Sequence, residues 1–223
     1  MSTAAPRGRG VTHAVELVRD LGADTFVIRL QRNQLAFQPG QYITVGLPGE
    51  TDAREYSIYS APEDDYLEIL VKRVDGGYIS PRLRRVQPAQ LLNVDGPFGF
   101  FTIAETERLA SRFYFVATGT GIAPFHSFTR AYPAIDYTLL HGVRHTSERY
   151  EMYSYDRSRY VACISRRRDG DFTGRVTDWL RRYPVQPDAL CYLCGNCDMI
   201  YEAFDILKDH GVPAERLFAE VYF

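Results

Sequence analysis

The sequence predicts a two-domain chain in which an antiparallel β-barrel precedes an α/β domain with a parallel sheet. Before about residue 105, short strand-like segments are separated by turn residues such as Pro39-Gly40 and Gly76-Gly77, a spacing typical of barrels and sandwiches. After it, strand-like and helical segments alternate, which is typical of a parallel sheet with helices on both faces. We therefore assign residues 1–105 to the barrel domain and residues 106–223 to the α/β domain.

Local composition gives the individual elements. Strands of the barrel are predicted over residues 11–18, 24–30, 41–47, 55–60, 67–74 and 91–94. A helical turn should begin at Ser80, which is also a plausible N-cap, with Pro81 in the first helical position. The second half should contain strands over 113–117, 137–143, 160–165 and 190–194, and helices over 122–130, 173–182 and 198–210.

Composition and charge exclude several classes of protein. The formal net charge of −2 gives the chain no general attraction for nucleic acid or an anionic membrane. No apolar stretch is long enough to span a bilayer. Residues 1–10 carry no apolar run behind Arg7 and Arg9, so we expect a short disordered lead rather than a secretory signal. A cytoplasmic location is therefore the expectation.

Two motifs of the barrel domain suit a phosphorylated ligand with an aromatic ring. In the segment Arg54-Glu55-Tyr56-Ser57, the guanidinium offers a planar fork of donors to a phosphate, and the tyrosine ring is available for stacking. The segment from Lys72 through Gly76-Gly77 to Ser80 combines glycines that let the backbone approach an anion with the amides of a helix start. An ordinary amphipathic strand and an ordinary hairpin turn remain the alternatives.

A glycine-rich turn follows the first strand of the second domain. Residues 117–124, Ala-Thr-Gly-Thr-Gly-Ile-Ala-Pro, lie between a buried strand and a helix, where glycines leave room for a pyrophosphate at the helix N-terminus. The turn is similar to the G-x-G-x-x-G fingerprint but has Pro124 at its last position. A nucleotide site is the preferred interpretation.

An arginine cluster follows the third strand of this domain. Ser165, Arg166, Arg167 and Arg168 come directly after the strand, and Arg175 lies a few residues further on. Cationic groups at a strand end can hold the 2′-phosphate of NADP. A solvated loop is the alternative.

The cysteine spacing raises the question of an iron–sulfur cluster. Cys191, Cys194 and Cys197 have the spacing C-x2-C-x2-C, but Cys191 is expected within a strand and only the distant Cys163 could supply a fourth ligand. We therefore predict no metal site and place Cys194 at a strand end beside a cofactor. The chain ends on Tyr222 and Phe223, whose rings either pack in a core or stack on a cofactor.

Taken in order, these motifs resemble the ferredoxin-NADP reductase family, most closely its bacterial type. The resemblance runs from about residue 37 to residue 223 and rests on R-x-Y-S, G-G-x-x-S, G-P-F-G, T-G-T-G-I-A-P and C-G-N. It implies an FAD-binding barrel followed by an NADP-binding α/β domain. The resemblance implies that FAD contacts Arg54, Tyr56, Ser57, Lys72, Gly77, Tyr78, Ile79, Ser80, Thr118, Tyr222 and Phe223.

The resemblance also assigns a nucleotide site and a reaction. NADP would contact Gly119, Thr120, Gly121, Arg144, Ser165, Arg166, Arg175, Cys194 and Gly195, and the catalytic side chains would be those of Tyr56, Ser57, Cys194 and Tyr222. The implied reaction takes a hydride from NADPH to the flavin and passes electrons singly to a separate ferredoxin or flavodoxin. We expect a monomer whose docking patch for that acidic carrier includes Arg82, Arg84 and Arg85.

Two alternatives stay open. The chain could be an NAD(P)H-dependent flavin reductase component of an oxygenase, or a non-catalytic flavin-binding module. The arginine cluster argues against an NADH-specific reductase, and bleaching of a yellow protein by NADPH would exclude the module.

Overall fold

The first half of the chain forms a six-stranded antiparallel sheet. The computed structural model describes residues 11–222; the predicted disordered lead and the role assigned to Phe223 lie outside this range. The strand order is β4-β3-β6-β1-β2-β5. The strands are β1 (Val11–Asp20), β2 (Thr25–Gln31), β3 (Tyr42–Gly46), β4 (Ala53–Ser57), β5 (Tyr66–Lys72) and β6 (Leu91–Phe98).

This sheet closes on itself, which confirms the predicted barrel. Directly after β4, Ile58 forms an antiparallel bridge with Ile69 of β5, the strand at the other edge of the sheet. The amide of Tyr59 donates to the carbonyl of Glu68 at 2.8 Å. Closure encloses a core of aliphatic side chains such as those of Ile28 and Ile43, because alternate residues of each strand point inward.

The second half forms a parallel sheet with the strand order β10-β9-β8-β7-β11-β12. The continuous apolar run at 113–117 is buried on both sides, as expected of a central parallel strand. The strands are β7 (Arg112–Thr118), β8 (Asp136–Val143), β9 (Tyr160–Ile164), β10 (Phe172–Thr173), β11 (Leu190–Asn196) and β12 (Leu217–Tyr222). The helices are α1 (Ser80–Leu83) in the barrel domain, then α2 (Ala123–Ala131), α3 (Val176–Arg182) and α4 (Cys197–Asp209).

Two local predictions were wrong. The helix expected to begin at Thr173 begins at Val176, because residues 172–173 pair with β9 as the short strand β10. Ser80 is not an N-cap: it is the first residue of α1, and its Oγ accepts a hydrogen bond from the Val74 amide at 2.9 Å. That bond closes the loop between β5 and α1.

One of the three apolar clusters among residues 11–222 contains residues of both domains. Val27, Tyr59 and Leu70 of the barrel pack in the same buried cluster as Phe125 and Tyr155 of the second domain. The ring of His126 in α2 stacks on Tyr59 with centroids 3.8 Å apart, and its Nδ1 lies 2.7 Å from the Tyr59 carbonyl oxygen. This packing holds the barrel against helix α2 of the second domain.

Candidate functional site

A cleft of about 730 Å³ lies at the carboxyl ends of the parallel strands. Ligands of open α/β sheets bind at this edge, where the strand order reverses beside β7. The cleft contains eight residues that the sequence assigns to NADP or to the turn after β7: Thr118, Gly119, Thr120, Arg144, Ser165, Arg166, Arg175 and Gly195. Lys72 and Tyr222, assigned to the FAD side, line the same cleft. The cleft therefore adjoins both domains.

The glycines of the turn after β7 satisfy two different requirements. Gly119 has φ +54 and nothing near the position of a Cβ, so its α-carbon is open to the cleft. A Cβ on Gly121 would lie 2.3 Å from the Cys194 carbonyl oxygen, so this glycine lets the turn pack directly against β11. Gly121 and Cys194 thus support the cleft from below and are not among the residues that line it.

Three guanidinium groups converge on the rim of the cleft. The side chains of Arg144, Arg166 and Arg175 are exposed, and within residues 11–222 none of the three forms an ion pair. Glu148 lies beside them, but its carboxylate accepts the backbone N–H groups of Arg144 and His145, both at 2.9 Å. The three guanidinium groups are therefore available to a ligand, although the carboxylates of Glu148, Asp198 and Glu202 line the same cleft.

The barrel contributes the residues of β4. Arg54 is exposed, and its only side-chain hydrogen bond within the described chain goes to the carbonyl of Ala53. Burial raises the pKa of Tyr56 to about 12, a shift that the neighbouring charge of Arg54 partly opposes. The phenol ring is half-buried and stays neutral, while the guanidinium beside it is free to bind an anion.

The loop before α1 lies on the same side of the barrel. A Cβ on Gly77 would lie 2.9 Å from the Val74 carbonyl oxygen, so the loop needs glycine here to fold this tightly. Ile79 is buried, whereas the ring of Tyr78 is partly exposed and is covered by the guanidinium of Arg82 at 3.8 Å. The glycine shapes this loop, and Tyr78 is its accessible ring.

The two domains meet in a hydrogen-bonded chain at the end of β12. The Tyr222 hydroxyl donates to Ser57 Oγ at 2.6 Å, and Ser57 Oγ donates to Glu220 Oε2 at 2.9 Å. The Tyr222 hydroxyl also interacts with the thiol of Cys194, which is fully buried beneath it. The structure thus brings together Ser57, Cys194 and Tyr222, three of the four predicted catalytic residues.

Glu220 is a site residue that the sequence analysis missed. Burial raises the pKa of this carboxyl to about 7; the Ser57 hydrogen bond opposes the shift and the nearby charge of Glu55 adds to it. A carboxyl that titrates near neutrality can hold or release a proton at working pH. The only available signal was its place in the strand-like tail, two residues before Tyr222.

The cysteines lie on opposite faces of β11. Cys191 packs in the cluster around α3 and α4, whereas Cys194 packs toward the barrel. Residues three apart in a strand point to opposite faces, so these two thiols do not converge on one metal. Among residues 11–222, no group of three or more His, Cys, Asp and Glu side chains is arranged to hold a metal ion.

Comparison with known proteins identifies the family. The model of the oxidoreductase FAD-binding domain matches residues 10–103, and that of the oxidoreductase NAD-binding domain matches residues 115–204. Ferredoxin-NADP reductase B of Sorangium cellulosum is 31% identical, over 83% of this chain and 85% of that protein. The chain belongs to the ferredoxin-NADP reductase family. It is therefore an FAD-dependent oxidoreductase that exchanges electrons with a nicotinamide nucleotide.

Other members of the family include reductase components of oxygenases. The electron transfer component of toluate 1,2-dioxygenase from Pseudomonas putida is 26% identical over 96% of this chain and 68% of its own length. The crystal structure of the Amycolatopsis cytochrome P450 reductase GcoB superimposes with a TM-score of 0.87 at 26% identity, covering 96% of this chain and 69% of that one. The chain spans as little as 52% of the length of other curated relatives. No helix among residues 11–222 is both long and apolar enough to span a membrane.

Proposed function

We propose that the chain is a ferredoxin-NADP reductase that oxidises NADPH and passes electrons one at a time to a separate ferredoxin or flavodoxin. One observation carries the cofactor choice: Arg144, Arg166 and Arg175 converge on the rim of the nucleotide cleft with no carboxylate partner among residues 11–222. A dianionic 2′-phosphate matches these three guanidinium groups, and a ribose hydroxyl does not. Ser165 lines the cleft beside them, and its hydroxyl would exchange its 3.3 Å hydrogen bond to the Val143 carbonyl for one to the phosphate.

The barrel residues fit an FAD molecule. The free guanidinium of Arg54 suits the pyrophosphate, the half-buried ring of Tyr56 suits one face of the isoalloxazine, and Ser57, the next residue of β4, would lie beside that ring. When bound, FAD supplies the conversion of a two-electron hydride into single electrons. The chain orients the rings and excludes water from the seam between the domains.

Tyr222 and Glu220 have different roles in this proposal. Tyr222 would cover the place that the nicotinamide takes, since its side chain lines the cleft and its hydroxyl is hydrogen-bonded to Ser57. Tyr222 therefore moves aside when the nucleotide enters. Glu220 exchanges a proton with the Ser57 hydroxyl, because its carboxyl accepts a hydrogen bond from that hydroxyl and has a pKa of about 7.

The cofactor choice is tested by steady-state kinetics with NADPH and NADH. Each charge-assisted contact contributes about 1.5–3 kcal/mol, so two of them give a preference for NADPH of about 100-fold or more. We expect the double variant Arg166→Ala, Arg175→Ala to lose this preference through a higher KM for NADPH, while kcat/KM for NADH changes little.

Arg168→Ala provides the matched control. It removes the same charge from the same loop, but Arg168 does not line the cleft, so the NADPH preference should fall less than threefold. Equal rates of the wild type with NADH and NADPH would contradict the proposed cofactor choice.

An oxygenase reductase that uses NADH is the second candidate. Glu148, Asp198 and Glu202 line the same cleft, and a carboxylate there suits the 2′-hydroxyl of NAD. The similarity to the toluate dioxygenase component also favours this candidate. The kinetic comparison decides between them, because an NADH-specific reductase would be unaffected by loss of Arg166.

The proposed carrier docks on the barrel side in part through arginines. Arg82 is held by Glu50 and Arg84 by Asp20, which leaves Arg85 as the member of the predicted patch without an ion pair among residues 11–222. We therefore expect Arg85→Ala to raise the KM for ferredoxin more than Arg82→Ala does. Stopped-flow reduction of ferredoxin and flavodoxin by the NADPH-reduced protein identifies the carrier.

A further inference from the structure

A fully buried histidine lies directly beneath the nucleotide turn. His141 is in β8, opposite Ala117 of β7, and has no exposed surface. Its Nε2 lies 3.0 Å from the carbonyl oxygen of Gly119, and its Nδ1 lies 2.9 Å from the hydroxyl of Tyr160 in β9. Neither His141 nor Tyr160 lines the cleft, and neither belongs to the predicted site.

The partners of His141 fix its tautomer. The Gly119 carbonyl can only accept a hydrogen bond, so Nε2 carries the hydrogen. Burial lowers the pKa of His141 to about 4, and the ring is therefore neutral near pH 7 with Nδ1 unprotonated. Nδ1 then accepts from Tyr160, whose pKa burial raises, so that this hydroxyl keeps its proton. Two hydrogen bonds in series result: Tyr160 donates to His141, and His141 donates to the Gly119 carbonyl.

The Gly119 peptide, which accepts the hydrogen bond from His141, has few other contacts that fix its orientation. Gly119 has φ +54, and no atom lies within 4 Å of where its Cβ would be, so no packing on that side holds its conformation. The position also carries no side chain of its own. A hydrogen bond from the sheet below thus restrains the Gly119 peptide where the turn faces the cleft.

We propose that His141 is a positioning residue for the nicotinamide nucleotide: its Nε2–H orients the Gly119 peptide so that the turn after β7 accepts the pyrophosphate and nicotinamide half of the ligand. This inference rests on the proposed function for the location of the nucleotide. The adenosine 2′-phosphate half is held elsewhere, by Ser165, Arg166 and Arg175. The two halves of the ligand therefore depend on different parts of the chain.

Because the two halves of the ligand contact different residues, the experiment compares the whole nucleotide with its adenosine half. Binding of NADP+ and of 2′-AMP to the FAD-loaded protein is measured by isothermal titration calorimetry for the wild type, His141→Leu and His141→Gln. The leucine removes the donor, whereas the glutamine amide reaches a position close to Nε2 and keeps it. We expect His141→Leu to weaken NADP+ binding about tenfold, His141→Gln to restore most of the affinity, and both to leave 2′-AMP binding within about twofold of the wild type.

Several results would overturn the proposal. NADP+ affinity unchanged in His141→Leu would do so, as would an equal loss for NADP+ and 2′-AMP, which is what general damage to the fold produces. If His141→Leu does not fold, ¹⁵N-detected histidine spectra of the wild type decide, because a ring protonated on Nδ1 cannot donate to Gly119. If the wild type prefers NAD+, the comparison is made with NAD+ and 5′-AMP, so the cofactor choice can fail while the role of His141 is still tested.

Discussion

At the scale of single residues, the carboxyl of Glu220 has a pKa that its surroundings in the folded chain raise well above the ordinary value. Burial outweighs its hydrogen bond from Ser57, and the pKa rises to about 7. A raised carboxyl pKa means that the folded protein binds this proton more tightly than the unfolded chain does. Below the unfolded pKa the carboxyl is protonated in both states, so its burial does not lower the free energy of unfolding through ionisation. Above about pH 7 the carboxyl is ionised in both states, and the buried charge then lowers the free energy of unfolding by its full amount.

We predict that Glu220→Gln stabilises the FAD-saturated protein at high pH. Glutamine keeps an acceptor for Ser57 but carries no charge, so the free energy of unfolding at pH 8.5 should rise by about 2–3 kcal/mol. The gain should shrink toward zero as the pH falls to 5. Urea unfolding across this range measures it.

Glu215→Gln controls for the loss of one negative charge, since Glu215 is exposed and lies five residues earlier. A gain of the same size at pH 5 and pH 8.5 for Glu220→Gln would contradict the raised pKa.

Residues of this kind could not be predicted from the sequence. The motifs located Arg54, Ser57, Ser165 and Arg166 because each lies beside a glycine-rich turn or at a strand end. Glu220 meets Ser57 across 163 positions, and His141 meets Gly119 only because β8 pairs with β7. Neither contact leaves a local pattern, so both had to be found in the folded chain.

At the scale of elements, the turn between β7 and α2 depends on close packing against β11. Gly121 lies so near the end of β11 that a Cβ would meet backbone atoms of Cys194 and Gly195 within 3 Å. Backbone cannot move aside as a flexible side chain can. The position of the turn, and with it the floor of the cleft, is therefore set by the absence of this one side chain.

We predict that Gly121→Ala displaces the turn. The unfolding free energy should fall by about 1–3 kcal/mol, the usual cost of overpacking, and the affinity for NADP+ should fall as well. Thermal unfolding and calorimetric titration measure the two effects. Gly22→Ala is the control, since its Cβ would have no neighbour closer than 4.0 Å, and it should change neither quantity. Unchanged NADP+ binding in Gly121→Ala would show that the turn tolerates displacement.

The elements that the sequence could predict are those whose pattern is local. Strands and helices with their own periodicity, such as β7 and α4, were predicted to within two residues at each end. The start of α3 was misplaced because the strand character of 172–173 comes from pairing with Cys163 and Ile164. The carboxylate of Asp178 accepts the Arg175 amide at 2.9 Å, and this local signal marks the true start of the helix.

At the scale of the whole molecule, polar contacts reinforce the apolar cluster that contains residues of both domains. Glu151 of the second domain accepts from the Tyr59 hydroxyl at 2.7 Å and pairs with Arg19 of β1 at 2.5 Å. Burial raises the pKa of Glu151, but the Tyr59 hydrogen bond and the charge of Arg19 together outweigh it and leave the pKa lowered. The carboxylate therefore stabilises the seam above its unfolded pKa, and this stability is lost as the pH falls through the lower folded pKa.

We therefore predict that Glu151→Gln destabilises the FAD-saturated protein by about 1–3 kcal/mol at pH 7 and by less at pH 4, where the wild type begins to lose the same interaction. Unfolding in urea should remain a single transition in both proteins, because the cluster around Tyr59 and Phe125 contains residues of both domains, so that unfolding of either domain exposes apolar surface of the other. Circular dichroism and flavin fluorescence should follow that transition together. Two separated transitions in the wild type would mean that each domain unfolds independently of the other. The cluster shared by the domains would then not explain how Ser57 is held beside β12.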